Sequence, residues 1–385
     1  MNTPLIAVLR NFLYGKRALR FIATSILAGT VLAAGSTFAA NKTRLSIYQH
    51  GKPVAYMPCK SQTLKSRSAV LMGGGVDVPS AFTFMINEMA ACADGSTGNP
   101  GNFVVVRAGG NPAYDSYINK QGTVGAVITI VVPDRDSAIA VGDPTNEVGQ
   151  QVQALLRTAG AIWLTGGDQG DYYNFWKGTP VEQLISNQVQ QYGIPIGGTS
   201  AGMMILSEYN YIPDVAYSSS YALSNPTFMQ KWLKRDFWSS KDKTPFYLVS
   251  NTVTDSHFDT RDRMGRLVTF LADVITMRWS NAAGARAIGV DQETALLLRY
   301  VPLSKGSLMV DPPRLVANAG SAGAAYILSA SNNSVIDTSG ALKFTNINVQ
   351  KLYVDPSTSV TKTKTYQIKA ENGFVTLLNG VINVY

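Results

Sequence analysis

Short apolar runs alternate with longer amphipathic stretches from Ser68 to about Leu298. The runs Ala69–Met72, Phe103–Val106, Ala126–Val132, Ala161–Thr165, Ile194–Ile196, Tyr247–Asn251 and Ala287–Val290 predict strands. Between them, Ala81–Cys92, Val148–Arg157, Val181–Gln191, Met203–Ser207 and Arg261–Leu271 predict helices. Near-continuous apolar strands alternating with helices predict an α/β fold, a mostly parallel sheet covered on both faces. Val148, Val152, Leu155 and Leu156 have helical spacing and are expected to face that sheet. Past Leu298 the pattern changes. Ala325–Leu328, Val349–Val354, Thr365–Lys369 and Phe374–Leu378 alternate, are rich in Val, Ile, Thr and Tyr, and are separated by turn residues. They predict a β-rich C-terminal region, either a small sandwich or an added sheet. Its role is not legible from the pattern.

The N-terminus has a different grammar. Arg10, Lys16, Arg17 and Arg20 form a basic leader, followed by an apolar run from Phe21 to Ala34 and small residues through Ala40. This predicts a secretory signal peptide cleaved near Ala39, because the run falls short of the ~20 apolar residues of a membrane span. An uncleaved anchor is the alternative. The expected organisation is a signal peptide over 1–39, an α/β domain over 40–300 and the β-rich region over 301–385. The mature protein is expected to be periplasmic or secreted, free of the membrane.

Removal of the leader takes away four basic residues and no acidic one, so the formal charge falls from +8 to +4. That is too mild to argue for a nucleic-acid partner. An exported chain can pair its two cysteines, Cys59 and Cys92, and two free thiols are the alternative. Two cysteines and two histidines, all far apart, lack zinc-ligand spacing, so no metal site is expected. The sequence allows a homodimer without requiring one.

Glycine clusters stand where the predicted strands end, at 73–75, 109–110, 166–167 and 197–198. In open α/β sheets the ligand crevice lies beyond these carboxyl ends. The sharpest chemistry is at the last cluster. Gly198-Thr199-Ser200-Ala201-Gly202 reads as strand, tight turn and helix, with small residues flanking a serine as a nucleophile elbow requires. A serine nucleophile needs a base. His50 lies near the mature N-terminus, outside the alternating core. His257 lies between a predicted strand and a predicted helix, so elimination favours it. Its rate is then expected to fall as the imidazole protonates below about pH 6. The N–H of Ala201 and one from the pair Gly166-Gly167, here Gly167, are expected to form an oxyanion hole. Arg261, Arg263 and Arg266 follow His257. They read either as a solvated helix face or as a clamp for a substrate carboxylate. The stretch Glu208–Phe246, rich in Tyr, Phe and Trp, breaks the rhythm. It reads as a lid or substrate wall, or as a surface excursion pinned by its own aromatics.

Three of these segments, in order, resemble one family. Gly166-Gly167-Asp168-Gln169, Gly197-Gly198-Thr199-Ser200-Ala201-Gly202 and His257-Phe258-x-x-Arg261-x-Arg263-x-Gly265-Arg266 are similar to the cyanophycinase branch of the dipeptidase E-type serine peptidases, peptidase family S51. The resemblance runs from about Val70 to Leu298. It implies a fold like class I glutamine amidotransferases, flavodoxin-like, with the nucleophile on an elbow. It implies hydrolysis of cyanophycin, a poly-aspartate carrying arginine on isopeptide bonds, to β-Asp-Arg dipeptides, with no cofactor. Ser200 carries over as nucleophile and His257 as base. Gln169, Asp255, Arg261, Arg263 and Arg266 fall at substrate-pocket positions, where Asp255 is expected to face a substrate guanidinium.

The chain departs from that pattern twice. Ser256 stands where the family has Gln. The family's third triad member is the Glu of Asp-Glu-x-Thr-Ala, whereas this chain reads Asp291-Gln292-Glu293-Thr294-Ala295. Neighbours in a strand point to opposite faces. Glu293 therefore serves only if a bulge turns it inward, and otherwise Gln292 orients His257 without a charge. The other readings are an aspartyl or isoaspartyl dipeptidase of the same family, or an exported binding protein without activity.

Overall fold

The strands β1 (Ser46–Gly51), β2 (Arg67–Met72), β3 (Asn102–Arg107), β4 (Ala126–Val131), β5 (Ala159–Leu164) and β6 (Ile196–Thr199) belong to one sheet of the computed structural model. The structure describes residues 43–54, 67–90, 101–238, 249–302, 308–331, 335–337, 339–378 and 380–383. The expected signal peptide, Cys59 and Cys92 lie outside the described residues.

Helices α1 (Pro79–Ala90), α2 (Ala113–Asn119), α3 (Arg135–Ala140), α4 (Glu147–Arg157), α5 (Gln169–Trp176), α6 (Pro180–Tyr192) and α7 (Ala201–Met204) connect and cover these strands. The remainder comprises the ribbon β7 (Asn210–Tyr211) and β8 (Leu233–Lys234), with α8 (Ser219–Ser224) and α9 (Pro226–Met229) between its strands. Then come β9 (Thr252–Asp255), α10 (Met264–Thr276), β10 (Arg286–Val290), β11 (Thr294–Pro302), β12 (Leu308–Val310), β13 (Arg314–Ala317), β14 (Ala324–Ala330), β15 (Lys343–Val354), β16 (Thr361–Glu371), β17 (Phe374–Leu377) and β18 (Gly380–Asn383).

The first sheet runs β1-β4-β3-β5-β6-β2-β11-β12, with β13 also on β11. Its centre, β4-β3-β5-β6-β2, is parallel; β1, β11, β12 and β13 pair antiparallel. Every residue of β4 and β5 is buried. Period-2 alternation divides each strand between two cores. Phe103 and Val105 pack with Phe82 and Met85 of α1 and Ile118 of α2. Val104 and Val106 pack with Ala138 of α3, Val152 and Leu156 of α4, and Ile185 of α6. The expected doubly covered α/β sheet is present. In α4 the stripe holds at Val152 and Leu156, both fully buried, while Val148 in the first turn remains 37% exposed.

The second sheet runs β18-β17-β16-β15-β14-β10-β9 and packs on α10 through Ala287, Leu328, Ile347, Val349 and Ile368. The C-terminal strands thus form an added sheet. It starts from β9 and β10, which pair parallel to one another and not with the first sheet. Of the strand expected at Tyr247–Asn251, residues 247–248 lie outside the described residues and 249–251 are not extended; a strand begins at Thr252, where β-branched Thr252, Val253 and Thr254 favour extended backbone. The boundary expected at residue 300 falls inside β11, and both sheets draw strands from either side of it.

Candidate active site

The carboxyl ends of β2, β6 and β9 converge, and each delivers one part of a cluster. Strand β6 leads into Ser200, and α7 begins at Ala201. Gly197 and Gly198 belong to the strand, and Gly202 to the helix. A Cβ on Gly198 would lie 2.5 Å from the Gly202 carbonyl, and one on Gly202 would lie 2.1 Å from the Leu164 carbonyl oxygen. Small residues at these positions let the chain reverse tightly. Ser200 takes φ 53° and ψ −118°, a sparsely populated conformation for a residue with a side chain. The Ser200 N–H donates to the Met72 carbonyl at 3.0 Å, which ties the elbow to β2.

His257 follows β9 after two residues. Its N–H donates to the Gly73 carbonyl at 2.7 Å. Gly74, at φ +102°, lies flat against the imidazole, where a Cβ would stand 2.4 Å from the ring's Cε1. Only glycine combines that φ with that approach. Ser200 Oγ is 2.8 Å from His257 Nε2. On the opposite nitrogen, the Gln292 side-chain amide meets Nδ1 at 2.5 Å. Gln292 is fixed through its N–H, which donates to Asp259 Oδ1 at 3.0 Å. Either amide end fits this contact. Nε2 donates to a bare Nδ1, whereas Oε1 accepts from Nδ1–H, and only the second leaves Nε2 able to take the serine proton.

Glu293 sits at φ 54° and donates its N–H to the Gly74 carbonyl at 2.8 Å. Its carboxylate makes no hydrogen bond to the His257 ring, so the backbone irregularity expected to turn it inward does not bring it to the histidine. The neutral amide holds that position instead.

Burial pushes the His257 imidazole down to about 4, and the charges of Arg261 and Arg263 push the same way; Asp255 and Asp259 oppose them. The nearby positive charges and the loss of solvent both disfavour imidazolium, which moves the expected transition below pH 6.

Above the pair lies a cavity of about 330 Å³ lined by Gly167, Asp168, Gln169, Ser200, Ala201, Met204, Tyr211, Pro213, Asp214, Val215, Ala216, Ser256, His257, Arg261, Arg263 and Arg266. The expected oxyanion donors, the glutamine and the three arginines therefore share one cavity with the serine and histidine. The stretch after Ser200 supplies one wall from Tyr211 to Ala216. It is pinned by Tyr209, Tyr211 and Phe237, all at 2% exposure or less, so it is both a wall and an aromatic-anchored excursion. Gln169 is tied to this wall by Nε2 donating to the Tyr211 carbonyl at 3.1 Å. The buried hydroxyls of Tyr211 and Ser256 have no hydrogen-bond partner among the described residues.

Asp255 is placed differently from expectation. It is fully buried and accepts from Arg263 Nη1 at 2.9 Å, Arg266 Nε at 2.8 Å and Arg266 Nη2 at 2.6 Å. Two guanidinium groups converge on one carboxylate, because a lone charge at that depth is costly. Asp255 thus faces protein and does not line the cavity. Arg263 and Arg266 line it with one carboxylate between them. Arg261 is exposed and its side chain makes no ion pair among the described residues.

Sequence reasoning missed several parts. Gly73 and Gly74 stood in a noted cluster, but nothing linked it to His257. Asp259 stands at an unspecified position of the histidine motif and acquires its role only through Gln292, distant in sequence, while Asp214 lies in no motif and is held by its neighbours Val215 and Tyr217.

The sequence model of peptidase family S51 matches residues 140–223, a span that includes Gln169 and Ser200 and ends before His257. The cyanophycinase of Trichormus variabilis is 28% identical over 170 residues, 43% of this chain and 49% of that protein. The cyanophycinase of Geminocystis herdmanii is 23% identical over 250 residues, 63% of this chain and 80% of that protein. The chain spans about half the length of the first of these relatives. Among solved structures, a peptidase from an acI-B1 Actinobacterium aligns with a TM-score of 0.43 at 18% identity, over 69% of this chain and 92% of the other. The resemblance read from the sequence motifs is borne out by the family match and the cyanophycinase relatives.

Proposed function

We propose that this chain, a cyanophycinase-like peptidase of the S51 type, is an exported serine exopeptidase that hydrolyses cyanophycin to β-Asp-Arg dipeptides through a Ser200 acyl-enzyme. The observation that carries the proposal is the contact of Ser200 Oγ with His257 Nε2 at 2.8 Å on a strained elbow. The basic leader and its apolar run support export to the periplasm or beyond.

In this mechanism the hydroxyl oxygen attacks the scissile carbonyl carbon while Nε2 takes its proton. Gly167 and Ala201 line the cavity beside the serine, where N–H donors stabilise the oxyanion. The tetrahedral intermediate collapses when imidazolium returns the proton to the leaving amine, and the C–N bond breaks. Water then repeats the sequence on the acyl-enzyme and frees Ser200. Gln292 keeps Nδ1–H oriented by accepting it through Oε1, and supplies no negative charge to the imidazolium. The free guanidinium of Arg261 and the pair Arg263 and Arg266 offer donors for substrate carboxylates.

The test is incubation of the purified protein with insoluble cyanophycin, read by release of β-Asp-Arg. Release that disappears in Ser200→Ala supports the proposal. Absence of release, or equal release by Ser200→Ala, rejects it. A panel of α- and β-aspartyl dipeptides separates a polymer-degrading enzyme from a related aspartyl or isoaspartyl dipeptidase.

A further inference from the structure

The cavity is lined by charges of both signs. Arg261, Arg263 and Arg266 supply the positive ones, and the last two share Asp255. Two carboxylates, Asp168 and Asp214, supply the negative ones, and Arg266 Nη1 reaches the segment that carries Asp214, donating to the Tyr217 carbonyl at 3.2 Å. With Asp255 sealed by arginines, these two are the acidic groups left to meet a cation in the cavity. Their surroundings differ. Asp168 caps α5, with Oδ1 accepting from the Gly170 N–H at 2.7 Å, and it sits beside Gly167 near the reacting centre. Asp214 lies in the wall between Pro213 and Val215. Its Oδ1 accepts from the Val215 N–H at 2.9 Å and the Tyr217 hydroxyl at 2.8 Å, which fixes the carboxylate. Its Oδ2 has no partner among the described residues. Met204, Pro213, Val215 and Ala216 give the adjoining wall an apolar surface.

We infer that Asp214 is the specificity-determining residue that selects a cationic side chain in the substrate. A long aliphatic stem lies along the apolar wall, and its guanidinium or ammonium head meets Oδ2. The carboxylate end of the same ligand faces the arginines that line the cavity. The inference rests on the reading of this cavity as a peptidase site, but it assigns the cation to Asp214, outside all three family-like motifs.

The test uses Ser200→Ala protein, so that binding is measured without turnover. Calorimetric titration with β-Asp-Arg and with β-Asp-Leu is expected to favour the arginyl ligand. Asp214→Asn is expected to weaken β-Asp-Arg by roughly two- to fivefold, as for an exposed ion pair, and to leave β-Asp-Leu unchanged. Asp168→Asn, which keeps the helix cap, is expected to retain the preference. An equal loss for both ligands, no loss for either, no arginyl preference before mutation, or loss of the preference in Asp168→Asn each overturns the assignment. These readouts are independent of hydrolysis. A protein that binds as expected but leaves cyanophycin intact overturns the proposed peptidase activity and leaves the Asp214 assignment standing.

Discussion

Gln292 meets Nδ1 of His257 at 2.5 Å, on the side of the ring opposite Ser200. An amide at this position fixes the ring's orientation and tautomer, yet leaves an imidazolium without a counter-charge. Together with burial and two nearby arginines, this accounts for a base held in its neutral form far below the usual histidine range.

The first prediction follows from that balance. A base with a pKa of about 4 is neutral at every pH well above that value. The acid limb of kcat/KM is therefore expected near pH 4, with a flat rate from 6 to 8. Gln292→Glu places a carboxylate against the ring, favours imidazolium and moves the limb upward. Arg261→Gln moves it the same way by removing a like charge. A limb that stays in place in Gln292→Glu shows that residue 292 does not act on the reacting histidine.

These features were unequally legible in the sequence. The five parallel strands of the first sheet and the elbow at Ser200 were readable because both obey local rules, near-continuous apolar runs and small residues around a tight turn, whereas the antiparallel β1, β11, β12 and β13 were not expected. The motif after β9 also identified His257. The choice between Gln292 and Glu293 was not local. It depends on Gly74, which receives the Glu293 N–H, and on Asp259, which receives the Gln292 N–H. Asp255 was expected to face a substrate guanidinium and instead faces two guanidinium groups of the protein. The spacing that suggested three arginines for a substrate carboxylate also lets two of them close on Asp255.

Gly74 provides the second prediction. In Gly74→Ala the new methyl meets the His257 ring at 2.4 Å from Cε1 and 2.6 Å from Nε2, on a backbone at φ +102°. The ring must move off Ser200. A displacement of ~1 Å in a reacting group costs about 100-fold in rate. We expect kcat to fall by about that factor, with fluorophosphonate labelling of Ser200 slowed in parallel, and a lowered thermal transition because Ala is strained at this φ. Full labelling speed in a folded Gly74→Ala protein contradicts the proposed contact.

The third prediction concerns the ion cluster beneath the cavity. Asp255 is fully buried and answers both Arg263 and Arg266, themselves 8% and 3% exposed. Asp255→Asn leaves two buried guanidinium groups facing a neutral amide. Breaking a buried pair from one side costs about 3–5 kcal/mol. Chemical denaturation is expected to show a loss of that order, whereas Arg261→Ala, at an exposed and unpaired position, is expected to change stability by less than about 0.5 kcal/mol. Similar small effects for both substitutions are the outcome that removes the structural role of Asp255.

Asp291 yields a prediction of the opposite sign. Burial pushes its carboxyl up to about 7, and the Ala324 N–H, donating to Oδ2 at 2.7 Å, only partly opposes that. Its Oδ1 has no hydrogen-bond partner among the described residues. The folded protein therefore keeps this proton between pH 4 and 7, where the unfolded chain has lost it. Stability from this group is present at low pH and is lost as the pH rises through 7. The shift of about three units sets an upper bound near 4 kcal/mol. His257 works the other way, since its depressed value makes the fold less stable as the pH falls from 6.5 towards 4. The two trends partly cancel in the wild type. Asp291→Asn keeps the acceptor for Ala324 and removes one of the trends while His257 remains common to both proteins. Urea denaturation is expected to show the variant more stable than wild type at pH 8, and the advantage shrinking at pH 5. An advantage that does not change between those pH values means that Asp291 is already ionised in the folded state and that its burial lacks the effect described.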